Sequence, residues 1–225
     1  MGRVTPESGD LPLLERNRFT NSNNETEATG ETLVERLSSL GRLVPEQAGE
    51  SLENGVPAAV LAPLILPHWS SGLETARLLF IKRAEHLNKH AGQIAFPGGV
   101  AERSDPDLLS TGFREGFEEV GLVREQSRLL ARLPQAFTPS GYSLQPYFVA
   151  TTQSRFTPQD TEVDSIHMIE VQELLKCPVR LEHREWGGRR YRVIYFETST
   201  VCVWGVTGRI TEVLLSHFFG WEPPQ

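Results

Sequence analysis

The sequence predicts an α/β fold in which a mixed sheet is flanked by helices. Three observations carry this expectation. Apolar segments of strand length recur between Pro, Gly and Ser punctuation, Asp107 to Val120 has the end signals of a helix, and the chain closes on an apolar helical period over Thr207–Phe219. No internal repeat interrupts the series, and 225 residues suit one sizeable core with some chain left over.

Residues 1–30 carry Asn17, Asn21, Asn23 and Asn24 among Ser, Thr and Glu, and are expected to form a flexible tail, because they bury too little to offset ordering. Residues 31–54 form an N-terminal helical segment: Leu33, Leu37, Leu40 and Val44 recur at helical spacing after Glu31–Thr32 and should pack on the adjoining domain. The domain itself is expected from 55 to 221. Strands are expected at Val56–Leu66, Arg77–Ile81, Leu129–Leu133, Tyr147–Thr151, Tyr191–Phe196 and Val201–Trp204, where β-branched and apolar residues cluster or alternate. The helix at Asp107–Val120 has Ser104 or Asp105 placed to cap it and Gly121 placed to end it.

Composition narrows the function. A net charge of −7, from 29 acidic and 22 basic side chains, gives no electrostatic reason to coat a nucleic acid, so none is expected as partner. The longest apolar stretch, Val56–Leu66, contains Pro57 and Pro63 and is too short to cross a bilayer, so no membrane association is expected. Cys177 and Cys202 stand alone, without zinc-ligand spacing, and fit a reducing compartment. The start has no apolar core of a targeting signal, and the expected location is the cytoplasm. Oligomeric state is not encoded in any visible pattern, and a homodimer stays open.

The chemistry concentrates in Arg114-Glu115-Gly116-Phe117-Glu118-Glu119-Val120-Gly121-Leu122. Glu115 lies three residues before Glu118 and four before Glu119, so the three carboxylates share one helical face. Such a cluster repels itself. It is either a solvated acidic face or a site for a hard cation such as Mg²⁺ or Mn²⁺, which would neutralise a diphosphate and activate an attacking water. The preceding Phe96-Pro97-Gly98-Gly99 favours the second reading, because paired glycines allow a tight turn and let a backbone carbonyl approach an ion.

Gly99, five residues, Asp105, eight residues, then Arg114 to Leu122 resembles the Nudix box. One residue is inserted, Asp105 replaces the usual Glu, and Gly116 occupies an apolar position, where Gly weakens a helix by about 1 kcal/mol relative to Ala. The resemblance implies an α/β/α Nudix sandwich with a mixed sheet and a metal-dependent pyrophosphohydrolase using Mg²⁺ or Mn²⁺. Metal would be held by Glu115, Glu118, Glu119 and the Gly99 carbonyl, and Arg114 would orient the glutamates. The general base is open between Glu115 and the loop residue Glu162, which otherwise reads as a surface charge.

Upstream, Leu78 to Ala84 and Leu87 to Gly99 are similar to the signature of the coenzyme A pyrophosphatase branch of that family, with Asn88 where a basic residue is usual. Phe137-Thr138-Pro139-Ser140-Gly141-Tyr142, Pro146 and Val203 to Thr207 also resemble its landmarks, although a Thr-Pro-Ser-Gly run is equally a competent turn. The resemblance implies hydrolysis of coenzyme A or an acyl derivative to 3′,5′-ADP and a 4′-phosphopantetheine. Arg83, Lys89, His90, Ser140 and Tyr142 are then the substrate-binding candidates, and Lys82 completes a basic run suited to phosphate. Two alternatives remain: a Nudix hydrolase of another nucleoside diphosphate derivative, such as NADH or ADP-ribose, or a binding module that has lost turnover.

Overall fold

The computed structural model describes residues 31–44, 55–87, 89–138, 140–186 and 188–224. The expected tail, residues 45–54, Asn88 and Pro139 lie outside these. Strand β1 (Val56–Ile65) is the centre of the main sheet and pairs in parallel with β7 (Tyr142–Thr151) from Val56↔Tyr142 to Ile65↔Thr151. On its other side β1 meets β4 (Gly98–Val100) and then β2 (Arg77–Arg83), both antiparallel. Pro63 falls between these two registers. The Leu61 N–H points to that side, to the Pro97 carbonyl at 2.8 Å, and the two-residue period turns the Pro63 nitrogen the same way, where no ladder bond is lost.

The sheet is extended by β3 (Ile94–Ala95) and β8 (Val163–Glu170) on β2, and by β5 (Ser127–Arg132) and β6 (Ala136–Phe137) on β7. A second sheet has the order β11 (Cys202–Trp204), β10 (Arg189–Glu197), β9 (Val179–Trp186). Helix α1 (Leu33–Gly41) is opened by a capping box between Thr32 and Glu35. Helix α2 (Leu108–Val120) lies on one face of the main sheet, the single turn α3 (Val171–Leu174) follows β8, and α4 (Gly205–Phe219) lies on the other face with α1.

Strand alternation sorts the core into two layers. Leu61, Leu79, Ile81 and Val149 meet Phe113 and Val120 of α2, whereas Leu64, Leu78, Phe80 and Phe148 meet Val34 and Leu37 of α1 and Leu214 and Phe218 of α4. This is an α/β/α arrangement around a mixed sheet. The His217 ring also bonds the Leu40 carbonyl at 3.0 Å, tying α4 to α1.

Several expectations need correction. The cap of α2 is Asp107, whose carboxylate accepts from the Ser110 N–H at 2.7 Å; Asp105 is engaged elsewhere and Ser104 bonds Glu102. Gly98 and Gly99 form a short strand rather than a free turn, and a side chain at Gly98 would strike the Ala59 carbonyl at 2.2 Å. Gly116 is not a packing defect: with Gly112 it lets α2 settle on Leu61, where an added Cβ would stand 3.3 Å and 2.8 Å from the leucine methyls. Strands β3, β4, β6, β8 and β9 have no counterpart among the expected ones.

Candidate active site

The close approach of α2 to β1 and β4 carries the acidic residues inward. Glu119, the penultimate residue of the helix, is buried: its side chain is 3% exposed and its Oε2 accepts from the Gly98 N–H at 2.8 Å. Among the described residues its Oε1 has no hydrogen-bonding partner, and the Arg83 guanidinium stands beside it with Nη1 at 3.6 Å. Arg83 Nε is likewise buried without a partner. Burial pushes the Glu119 carboxyl up to about 8, against the opposing pull of the Gly98 N–H and Arg83. Two orphaned polar atoms on facing side chains mark a place built for a further charged group.

Glu115 stands one turn earlier, 17% exposed, and burial raises its carboxyl above the usual range. Gly99 lies directly against it: a Cβ there would sit 2.4 Å from the Glu115 carboxyl carbon, so only glycine leaves room for that carboxylate beside the strand. Glu118, on the same face, is 55% exposed. Glu162, in the turn just before β8, is exposed yet close enough for its charge to raise both Glu115 and Glu119.

Arg114 organises this cluster. Its Nε and Nη2 make a fork to Asp105 Oδ1 and Oδ2 at 3.0 and 3.1 Å, Nη1 reaches Glu115 at 2.9 Å and Glu118 at 3.1 Å, and Nη2 also donates to the Val100 carbonyl at 3.0 Å. Asp105 further accepts from the Glu102 N–H and the Thr111 hydroxyl, both at 2.9 Å. The Arg114 fork, first among these partners, holds the Asp105 carboxyl well below the ordinary carboxylate range. The inserted residue and the Asp in place of Glu thus leave an intact clamp on Arg114. The contacts of Arg114 with Glu102, whose Oε1 is 3.9 Å from Nη1, and with the Val100 carbonyl carry no sequence signal, because they depend on how β4 turns into α2.

The basic run divides. Consecutive strand residues face opposite ways, so Arg83 points to Glu119 while Lys82 turns to the other face of the sheet, held by Glu85 at 3.0 Å and Asp164 at 3.3 Å. Lys82 is therefore not aimed at the carboxylates. Lys89 and His90 do meet Ser140 and Tyr142, fifty residues downstream: Lys89 Nζ donates to the Tyr142 hydroxyl at 3.4 Å and His90 Nε2 lies 3.4 Å from Ser140 Oγ. The Thr138 hydroxyl steadies the turn, 3.0 Å from Ser140 Oγ and accepting from the Tyr142 N–H.

A helix of carboxylates clamped by one arginine, packed on a glycine strand within an α/β/α sandwich, defines a hydrolase of phosphoanhydrides. The Nudix domain matches residues 71–191. The chain is 33% identical over 162 residues to an uncharacterized Nudix hydrolase NudL of Pectobacterium atrosepticum, covering 70% of this chain and 80% of that protein. It is 32% identical to the Yersinia enterocolitica protein of the same description, covering 81% and 91%. Among solved structures, a Caenorhabditis elegans Ap4A hydrolase aligns with a TM-score of 0.43 at 16% identity, over 53% of this chain and 83% of that one. The chain belongs to the Nudix family and is a pyrophosphohydrolase acting on nucleoside diphosphate derivatives.

Nudix hydrolases generally work with divalent cations. Among the described residues, no three His, Cys, Asp or Glu side chains stand close enough together to close on one ion, and Arg114 draws Glu118 aside. The donor chemistry nevertheless fits a hard cation at Glu119 and Glu115: a buried carboxylate oxygen without a donor beside a second desolvated carboxylate is a cost that a cation removes. No helix among the described residues is long and apolar enough to cross a membrane.

Proposed function

We propose that this protein hydrolyses the diphosphate of coenzyme A, or of an acyl-coenzyme A, to 3′,5′-ADP and 4′-phosphopantetheine or its acyl derivative. The observation that carries the reading is the meeting of Lys89 and His90 with Ser140 and Tyr142 at the end of the strand that presents Arg83 to Glu119. A substrate with a diphosphate and a separate 3′-phosphate needs two phosphate-binding places. Arg83 serves the first, and Lys89 with His90 the second, with hydroxyls of Ser140 and Tyr142 alongside.

Mg²⁺ or Mn²⁺ held at Glu115 and Glu119, with Glu118 and the Gly99 carbonyl as the further ligands that the family resemblance implies, would supply charge neutralisation and acidify a water. The remaining work falls to the chain. Arg114 fixes the Glu115 and Glu118 carboxylates in place, and Arg83 binds the diphosphate across from Glu119. Proton transfer from the attacking water falls to Glu115 or Glu162, which face the same cluster. The fission is a hydrolysis: one P–O bond of the diphosphate breaks, and the water's oxygen and protons complete the two phosphate products.

Chromatographic release of 3′,5′-ADP from coenzyme A, with and without added Mn²⁺, tests the activity; turnover of NADH or ADP-ribose but not of coenzyme A overturns the reading. Dephospho-coenzyme A lacks the 3′-phosphate, and its kcat/KM should be about tenfold to a hundredfold lower, the worth of one charge-assisted contact. Lys89→Ala should shrink that difference. Equal efficiency on both substrates removes the role given to Lys89 and His90.

A further inference from the structure

A groove of about 780 Å³ opens on the face of the main sheet opposite α2, between β8 and the loop before β3 on one side and β11 on the other. Nothing in the hydrolytic scheme uses it. Its floor is polar, with Ser165 Oγ 3.1 Å from His167 Nε2, and its far wall is the Trp204 indole. That indole is fixed by stacking on Tyr195, with ring centroids 5.8 Å apart and planes 13° from parallel, and by the Arg184 guanidinium 5.6 Å from its ring centre. Cys202 and Gln93 also line it.

Two links join the groove to the site. Gln93 lines the groove and its Oε1 is 3.0 Å from His90 Nδ1, so the groove begins where the Lys89–His90 cluster ends. Lys82, which lines it, is the strand neighbour of Arg83. A molecule whose diphosphate lies at Arg83 can therefore extend into the groove around the end of β2.

The charges decide which end of the substrate that is. Among the described lining residues Lys82 alone carries a fixed positive charge, and Glu85 and Asp164 already hold it. Burial, the larger cause, and the charge of Lys82 lower the His167 pKa, which favours the neutral ring. A phosphate would meet the Asp164 carboxylate with no unengaged cation to answer it. An uncharged chain of amides, hydroxyl and methylenes meets instead a hydroxyl, an imidazole, a carboxamide and an aromatic wall.

We propose that this groove binds the pantetheine arm of the substrate, leaving the nucleotide's 3′-phosphate to Lys89 and His90. This assignment rests on the coenzyme A reading, and its test separates the two. Pantetheine, which carries no phosphate, is titrated calorimetrically into the full chain and into the variants Ser165→Trp, which fills the groove, and His167→Ala, which removes a polar partner without adding bulk. Saturable binding to the wild type below about 10 mM, weakened about tenfold in both folded variants, is expected. The KM for coenzyme A should rise by a similar factor with kcat within about twofold, while inhibition by 3′,5′-ADP stays unchanged. Pantetheine binding that is absent from the wild type, or equal in all three proteins, overturns the assignment. So does weakened 3′,5′-ADP inhibition with pantetheine unaffected, which would make the groove an adenylate site. A wild type that binds pantetheine in the groove yet leaves coenzyme A intact defeats the functional reading and upholds the groove.

Discussion

Glu119 is the residue at which stability and chemistry oppose each other. Its carboxylate is buried, one oxygen answers the Gly98 N–H, and the other has no donor among the described residues. Ionising it without a cation costs free energy, which is why its carboxyl is pushed up to about 8 from 4.5. A folded-state pKa above the unfolded one gives stability that is complete below about 4.5 and is lost as pH rises towards 8. Metal-free protein should therefore unfold at progressively lower urea across that window. Glu119→Gln, which keeps the bond to Gly98 but cannot ionise, should flatten the slope and raise stability at pH 8 by on the order of a few kcal/mol. Added Mn²⁺ should flatten the wild-type slope in the same way. The same substitution should lower kcat at least about tenfold at saturating metal, so one variant is expected to be sturdier and nearly inactive. Urea titrations in EDTA at pH 5 and 8, and initial rates, check both; a variant with the wild-type slope would show that Glu119 is not the group responsible.

Among the elements, α2 is where two glycines make opposite predictions. A Cβ at Gly112 would stand 2.8 Å from a Leu61 methyl, closer than packing allows, so Gly112→Ala should force α2 off β1 and cost about 1–3 kcal/mol. At Gly116 the contact is 3.3 Å, and the roughly 1 kcal/mol by which Ala favours a helix offsets it, leaving Gly116→Ala within about 1 kcal/mol of wild type. Comparative denaturation of the two variants is the check, and equal losses would refute the packing argument. The helix was legible in the sequence because its signals are local: Gly121 ends it and the glutamates repeat at its own period, although its cap is Asp107 and not the expected Ser104 or Asp105. Strand β8 was not legible, because Asp164, Ser165 and His167 interrupt any alternation on a strand that is half open to solvent. Strands β3, β4 and β6 have two or three residues, too few to show a period. The site divides in the same manner. Glu115, Glu118, Glu119, Arg114 and Asp105 declare themselves within one motif, whereas the approach of Arg83 to Glu119 and the groove along β8 exist only once distant segments have packed together.

Across the whole molecule, the carboxylate helix and the groove sit on opposite faces of one sheet, and the layer behind the groove side includes α1. Leu37 of α1 is fully buried among residues of the sheet and α4. Leu37→Ala should cost about 2–5 kcal/mol by leaving a cavity, yet leave kcat of the folded enzyme unchanged, because α2 packs on the other face. Thermal unfolding together with active-site-normalised rates tests this; a matching fall in kcat would mean that the two layers communicate. Strands β1 and β7 lie side by side and parallel at the sheet's centre, and Arg83, Gly99, the whole of α2 and the Lys89–His90 cluster are threaded between them in the chain. The reactive segment is thus the crossover connection itself. During synthesis the middle of the sheet stays unzipped until that segment and β7 have both been made, so the catalytic helix has no finished floor to settle on until then, and closure of the central pair becomes the slow, long-range step of folding.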